Sequence, residues 1–277
     1  MNIHSKVKLN NGVEMPILGF GTWLVNEIKP IQWTLEEGYE LIDTAIAYDN
    51  EELIGKAIKN SGVPENKIFI TTKIPDYHYD NPRNAFEESL KKLRKIDLLL
   101  AHSSKSNKRV EAYKVLEELY KGKKCRAIGV SNFTIEHLKE LLKNTNIVPA
   151  VNQVEFHVYF YQKKLLEFCK EKGIILQAYM PMARGKANFK DERLKKIAKK
   201  HSKTVPQIMI RWIIQKGIPT IPKSSTKERI IENKNIFDFE LDEEDINILD
   251  NIPEQRAFCS ANPYCKRFRT NESKFFK

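Results

Sequence analysis

The sequence predicts an α/β fold, a (β/α)₈ barrel of the TIM type preceded by an N-terminal β-hairpin. Three observations lead there. Short apolar runs alternate with amphipathic stretches eight times along 277 residues, a length suited to one such barrel. Gly19-Phe20-Gly21 is followed by Thr22-Trp23-Leu24, so the third glycine of a doubly wound, phosphate-binding sheet is missing. No Pro-, Gly- or Ser-rich linker divides the chain. Residues 1–277 therefore read as a single domain, with the hairpin at about 6–15 and a C-terminal tail at about 252–277.

The hairpin comes first, because residues 7 to 15 alternate around Asn10-Asn11-Gly12 and Asn-Gly between strand-like residues favours a tight turn. Ile17 to Gly21 is the first barrel strand, followed by a helix near 28–38. Leu41 to Ala45 is the second, with a helix near 51–60, and Ile68 to Lys73 the third, with a helix near 82–94. Asp97 to His102 and Ala127 to Asn132 are the fourth and fifth, with helices near 109–121 and 134–143. Ala150 to Glu155 and Ile174 to Tyr179 are the sixth and seventh, followed by helices near 162–172 and 190–216. Pro219 to Ser224 completes the set, and a helix starts near Thr226. The runs are short and apolar because strands of a barrel are buried on both faces, whereas each helix keeps one solvated face.

A chain of this size buries about 75% of its unfolded surface, so its core needs no outside staple. Cys125, Cys169, Cys259 and Cys265 have no CxxC spacing and no paired histidines nearby, which excludes a zinc pattern and predicts reduced, intracellular thiols. No metal is expected. Met1-Asn2-Ile3-His4-Ser5-Lys6 lacks an apolar leader and no run of about 18 apolar residues occurs, so the expectation is a cytoplasmic protein with no membrane partner. The formal net charge of +11 raises nucleic acid as a partner. However, lysines such as Lys56, Lys59, Lys91, Lys92, Lys195 and Lys196 are spread over helical stretches, and many alternate with glutamates. That is the pattern of solvated faces, with the tail around Lys266, Arg267 and Arg269 as the exception, and no nucleic acid is expected. The positive field still attracts an anionic small molecule.

Asp43, Tyr48, Lys73 and His102 lie at or just past the ends of strands, where a barrel of this class assembles its chemistry. Ser131 and Asn132 end the fifth strand, Gln153 lies in the sixth, Tyr179 ends the seventh, and Lys223 and Ser224 end the eighth. Singly, each has a plainer reading, since an Asp after a strand caps a helix and a Tyr belongs to the core. Jointly, an acid, a phenol, an amine and an imidazole suit the protonation of an oxygen. A lysine ammonium about 4 Å from a phenol is worth ~4 kcal/mol at an effective dielectric of ~20. Lys73 is therefore expected to lower the Tyr48 pKa by about one or two units from ~10. Asp43 keeps Lys73 charged and oriented, and His102 donates a hydrogen bond to a carbonyl oxygen. His157, just past the sixth strand, has no place in this chemistry and reads as structural.

From end to end the chain resembles the aldo-keto reductase family. The resemblance is carried by Gly38-Tyr39-Glu40-Leu41-Ile42-Asp43-Thr44-Ala45 with Tyr48 and Glu51, and by Arg126-Ala127-Ile128-Gly129-Val130-Ser131-Asn132-Phe133. Val151-Asn152-Gln153-Val154-Glu155-Phe156-His157 and Ile221-Pro222-Lys223-Ser224 with Arg229 and Asn233 extend it. The resemblance implies a barrel oxidoreductase that uses NADPH/NADP+ to reduce aldehydes and ketones, with a small-molecule carbonyl as its partner and the monomer as its working state. Tyr48 is then the general acid, tuned by Lys73 and Asp43, and His102 orients the substrate. Gly21 and Thr22 join the cofactor site; Ser131, Asn132 and Gln153 hold the nicotinamide carboxamide, and Tyr179 stacks on the ring. Lys223, Ser224, Arg229 and Asn233 take the adenosine 2′-phosphate end, which favours NADPH over NADH. A cofactor-sensing barrel with low turnover is the alternative.

Departures from the family pattern fall on the substrate mouth, for which Trp23, Tyr77 and Ser103 are the expected lining. Ser103-Ser104 stands where relatives commonly carry Trp and Pro after the histidine, and Ile74-Pro75-Asp76-Tyr77 replaces a Leu-Trp pattern. The pocket is then wider and more polar, or is filled by another loop such as Tyr77 to Tyr79. Met180 stands where a serine usually contacts the cofactor pyrophosphate, and Arg184 and Lys186 are candidates to compensate. The tail, with Tyr264, Phe268, Phe275 and Phe276, either covers the substrate or packs on the barrel.

Overall fold

The computed structural model describes residues 1–183, 185 and 189–259. Strands β1 (Lys6–Lys8) and β2 (Glu14–Pro16) pair antiparallel as the N-terminal hairpin. Its turn is a Leu9-to-Gly12 bend closed by Gly12 N–H donating to Leu9 C=O at 2.9 Å, with Gly12 at φ 86°, a conformation glycine adopts without a Cβ penalty.

Seven parallel strands follow in sequence order: β3 (Phe20–Gly21), β4 (Leu41–Asp43), β5 (Phe69–Ile74), β6 (Leu98–Ala101), β7 (Ala127–Ser131), β8 (Val151–Glu155) and β9 (Ile175–Tyr179). The expected eighth strand is reduced to Thr220, which bridges Leu18 on one side and Ala178 on the other. Thr220 N–H donates to Ile17 C=O and its own carbonyl accepts from Gly19 N–H, each at 2.9 Å, so the sheet still closes. Pro219 and Pro222 flank this segment and have no N–H to donate, which is why no continuous ladder forms. Closure is tight: a Cβ on Gly21 would meet the Ile221 carbonyl oxygen at 2.8 Å.

Helices α1 (Ile28–Glu36), α2 (Glu51–Asn60), α3 (Pro82–Leu93), α4 (Arg109–Lys121), α5 (Ile135–Asn144) and α6 (Lys163–Glu171) each follow a strand. The helices expected over 190–216 are α7 (Glu192–Lys200) and α8 (Val205–Gln215), divided where Thr204 makes a capping box with Gln207 and starts a new helix. Next come α9 (Lys227–Lys234) and α10 (Glu243–Asp250), the latter not anticipated, although Asp242 caps it by accepting from Asp245 N–H at 3.0 Å. Among the described residues no helix is long and apolar enough to cross a membrane.

The side-chain period of two decides what each strand sends inward. Ile42, Ile70, Leu99, Ile128 and Leu176 face the helices and join the large outer core. Leu41, Phe69, Leu98, Leu100 and Val151 face the barrel axis, where Leu9 and Met15 of the hairpin cap them from below. Two residues further along the same inward rows stand polar groups. Asp43, Thr71, Gln153 and Gln177 thereby share the interior, as the bonds from Gln153 to Asp43 and Gln177 require.

Candidate active site

Lys73 sits on β5 with no solvent exposure, and its Nζ donates to Asp43 Oδ1 at 2.5 Å and to the Thr44 carbonyl at 2.8 Å. A third contact reaches Tyr48 Oη at 3.5 Å. Tyr48 lies just past β4, where it closes a 3-10 turn, Ile46–Tyr48, whose C-cap Asp49 is left-handed at φ 52° and turns the chain into α2. The His102 ring lies 5.8 Å from the Tyr48 ring at 76°, so both side chains converge on one point above Lys73. Asp43 Oδ2 accepts from Gln153 Nε2 at 2.6 Å, and the same nitrogen donates to Gln177 Oε1 at 2.8 Å. Both Gln153 N–H bonds are thus used inward, which leaves its carbonyl oxygen to accept from a bound amide.

The electrostatics correct one expectation. Burial pushes the Tyr48 phenol well above its usual range, and the nearby Asp43 charge pushes it the same way. Lys73 cannot deliver its full charge to the phenol because Asp43 sits closer to it than Tyr48 does, and from Tyr48 the ion pair is nearly a dipole. Burial also pushes Asp43 up and Lys73 down, while their mutual attraction opposes both shifts. His102 is pushed down to about 3, first by burial and then by the Lys73 charge, so at neutral pH it is an uncharged imidazole with one N–H to give.

Beside this group, Asn132 is left-handed at φ 64° and works as a hub. Its Nδ2 donates to the His102 carbonyl and to Ser131 Oγ, each at 3.1 Å, and its Oδ1 accepts from Tyr179 Oη at 2.8 Å. Thr22 is buried with its hydroxyl on the Asp43 carbonyl at 2.9 Å. Gly21 N–H donates to Pro222 C=O at 3.1 Å, which puts the end of β3 against the Lys223 segment. There Lys223 Nζ donates to Ser225 Oγ at 2.8 Å, and burial draws its pKa down. Ser224 Oγ accepts from Thr226 N–H at 3.1 Å just before α9, whose N-cap Thr226 makes no side-chain bond to the first turn. Arg229 stands exposed in that helix and Asn233 is buried one turn on.

Two solved folds and one curated sequence can now be set beside this geometry. The sequence profile of the Aldo/keto reductase family matches residues 18–254. The chain belongs to the aldo/keto reductase family. It is 46% identical over 257 residues to glyoxal reductase of Bacillus subtilis (strain 168), covering 90% of this chain and 93% of that protein. An aldo-keto reductase from a Medee basin deep-sea metagenome library superposes with a TM-score of 0.90 at 44% identity, over 93% of this chain and 98% of the other. The Bombyx mori aldo-keto reductase in complex with NADP gives 0.83 at 32%, over 90% and 93%. This aldo/keto reductase is accordingly a nicotinamide-dependent oxidoreductase.

Its mouth brings together the Tyr77-to-Tyr79 loop and Asn50, a residue that the sequence did not single out. Tyr79 is buried, donates Oη–H to the Ser103 carbonyl at 2.7 Å and accepts from Ser103 N–H at 3.1 Å, so it ties the loop after β5 to the segment that follows His102. Tyr77 is 66% exposed and Trp23 45%, both at the rim. Asn50 ties that rim together: it accepts from Thr44 Oγ1 at 2.7 Å and donates to the Thr22 and Val25 carbonyls at 2.8 and 3.1 Å. Its signal in the sequence was only its place before a helix. Arg184, Lys186 and the tail residues Tyr264, Phe268, Phe275 and Phe276 lie outside the described residues. Among the described residues no group of three or more His, Cys, Asp and Glu is placed to hold a metal.

Proposed function

We propose that this aldo/keto reductase reduces small aldehydes and dicarbonyl compounds with NADPH, using Tyr48 as the proton donor. The observation that carries the proposal is the convergence of a protonated phenol and a neutral imidazole above a buried ammonium, 3.5 Å from the phenol oxygen. A carbonyl oxygen set between Tyr48 Oη and a His102 N–H receives two hydrogen bonds aimed at the atom that becomes negative. When bound, a reduced nicotinamide would supply the hydride that the carbonyl carbon takes up.

Tyr48 is held protonated in the resting site, which suits a donor. As its proton leaves, negative charge appears on Oη, and Lys73 Nζ stands 3.5 Å away to stabilise it. Asp43 offsets much of the Lys73 charge, so burial prevails and the phenol keeps its proton until a carbonyl oxygen is there to take it. The same residues fit the cofactor. Gln153 offers a carbonyl oxygen to a carboxamide, Tyr179 offers a ring fixed by Asn132, and Lys223 and Arg229 with the open first turn of α9 suit a 2′-phosphate.

The proposal is tested by Tyr48→Phe. The variant is expected to bind NADPH as the wild type does and to lose carbonyl reduction by about 10²–10⁴-fold, the range of general acid catalysis. Oxidation of NADPH with a panel of aldehydes reads the result, and substantial remaining turnover would refute the assignment.

A further inference from the structure

Glu155 ends β8 on the inward row that carries Gln153, and its partner across the ladder is Tyr179. It has no solvent exposure. Burying a carboxylate is expensive unless hydrogen-bond donors replace water. Here Oε1 accepts from Phe258 N–H at 2.6 Å, and Oε2 accepts from Cys259 N–H at 3.1 Å. His157 Nε2 adds a bond at 3.1 Å to Oε1, while its buried Nδ1 has no partner, which assigns the proton to Nε2. We propose that Glu155 is a positioning residue for the substrate, a latch that draws the Phe258–Cys259 segment into the mouth so that it walls the pocket beside Tyr179. The pocket role rests on the carbonyl-reductase reading; the latch itself does not.

Several contacts show that the segment is led inward in steps. Arg256 N–H donates to the Tyr159 carbonyl at 2.7 Å, Gln255 Nε2 donates to the Val158 carbonyl at 3.0 Å, and Gln255 Oε1 accepts from Tyr161 N–H at 2.7 Å. Those bonds hold the chain on the rim formed by the β8–α6 connection. Only then do the Glu155 bonds turn it toward the axis, with Phe258 against the His157 ring at 5.5 Å. Cys259 comes near enough to Tyr48 and Tyr179 that a thiolate there would push both phenols upward. Bonds to an ionised acceptor are roughly twice as strong as neutral ones, so a carboxylate suits a latch better than an amide. Latch and anion support one another, since releasing the segment strips two donors from a buried charge.

Glu155→Gln in the full chain keeps the shape but presents an NH₂ to one of the two backbone N–H groups. Alkylation of Cys259 by iodoacetamide, read by mass spectrometry of its peptide, is expected to accelerate about tenfold or more as the segment opens. NADPH affinity should stay within about twofold, and the ratio of KM for a bulky aromatic aldehyde to KM for a small one should shift about fivefold or more. Unchanged Cys259 alkylation overturns the latch. A uniform loss of activity with an unchanged KM ratio marks a structural role only and overturns the positioning role. If Glu155→Gln does not fold, Phe258→Ala takes its place, since it leaves the carboxylate bonded and removes the wall; the same ratio shift is expected, and an unchanged ratio overturns the proposal. Should the wild-type enzyme reduce no carbonyl, the proposed function fails, and Cys259 alkylation alone decides the latch.

Discussion

The two ends of the barrel are built from the same rows of side chains and do opposite work. At the N-terminal end the inward positions are Leu41, Phe69, Leu98 and Val151, sealed by Leu9 and Met15. At the C-terminal end the same strands present Asp43, Lys73 and Gln153, joined to one another by hydrogen bonds. Each fully buried Leu or Phe at the lower end contributes about 1.5–3 kcal/mol. Each buried ion at the upper end costs several kcal/mol of desolvation, which its partners roughly offset. The lower half thus holds the barrel closed while the upper half keeps charged groups where they are chemically useful.

Lys73→Met should break that division most visibly, because it leaves Asp43 buried without its cation. We expect a loss of about 3–5 kcal/mol in urea unfolding together with loss of turnover. Leu98→Ala, at the lower end, should cost about 2–5 kcal/mol by opening a cavity yet leave kcat per folded molecule unchanged. If Leu98→Ala lowered kcat as Lys73→Met does, the two ends would not be separate in function.

Lys223→Met addresses the rim rather than the axis. It should weaken NADPH about tenfold or more, as loss of a charged hydrogen bond of ~1.5–3 kcal/mol implies, with NADH nearly unaffected. Equal losses for both cofactors, measured by fluorescence titration, would move the 2′-phosphate contact elsewhere.

A pH series tests whether the upper end carries the titrating load. His102 is held neutral down to about 3, whereas an unfolded histidine takes up a proton near ~6.5. It therefore costs no stability above about 6.5, and stability falls as the pH drops from there toward 3, by up to ~1.4 kcal/mol per unit. In His102→Gln the urea midpoint should fall less between pH 7 and 5, and an unchanged slope would mean that the folded imidazole protonates normally. The smallest effect is expected from Tyr79→Phe, which removes the two bonds to Ser103 and should lower kcat/KM only several-fold through a looser His102. An effect as large as that of Tyr48→Phe would place the Tyr79 hydroxyl in the chemistry itself.

Much of this was legible because barrel strands are short, apolar and regularly spaced. The strand ends carried the polar residues, and the helices over 51–60 and 109–121 fell where expected. The α10 helix was readable too, from Asp242 and Asp245, but it follows the last strand and breaks the alternation that guided the rest. Glu155 was not readable as a site residue, nor was the bonding of Tyr79, although its loop was a candidate to fill the pocket. Their partners are the backbone groups of Ser103, Phe258 and Cys259, and a backbone N–H or C=O leaves no mark in a sequence.

By itself the sequence determined the architecture, the family and the residues that meet at the mouth, because periodicity and motif spacing are local properties that survive without coordinates. Tertiary structure alone decided how those residues act on one another. Gln153 reaches Asp43 across 110 residues of chain, and Asp43 lies closer to Lys73 than the phenol does, so Tyr48 is pushed up rather than down. Distance and burial set the strength of a charge, and neither is written along the chain.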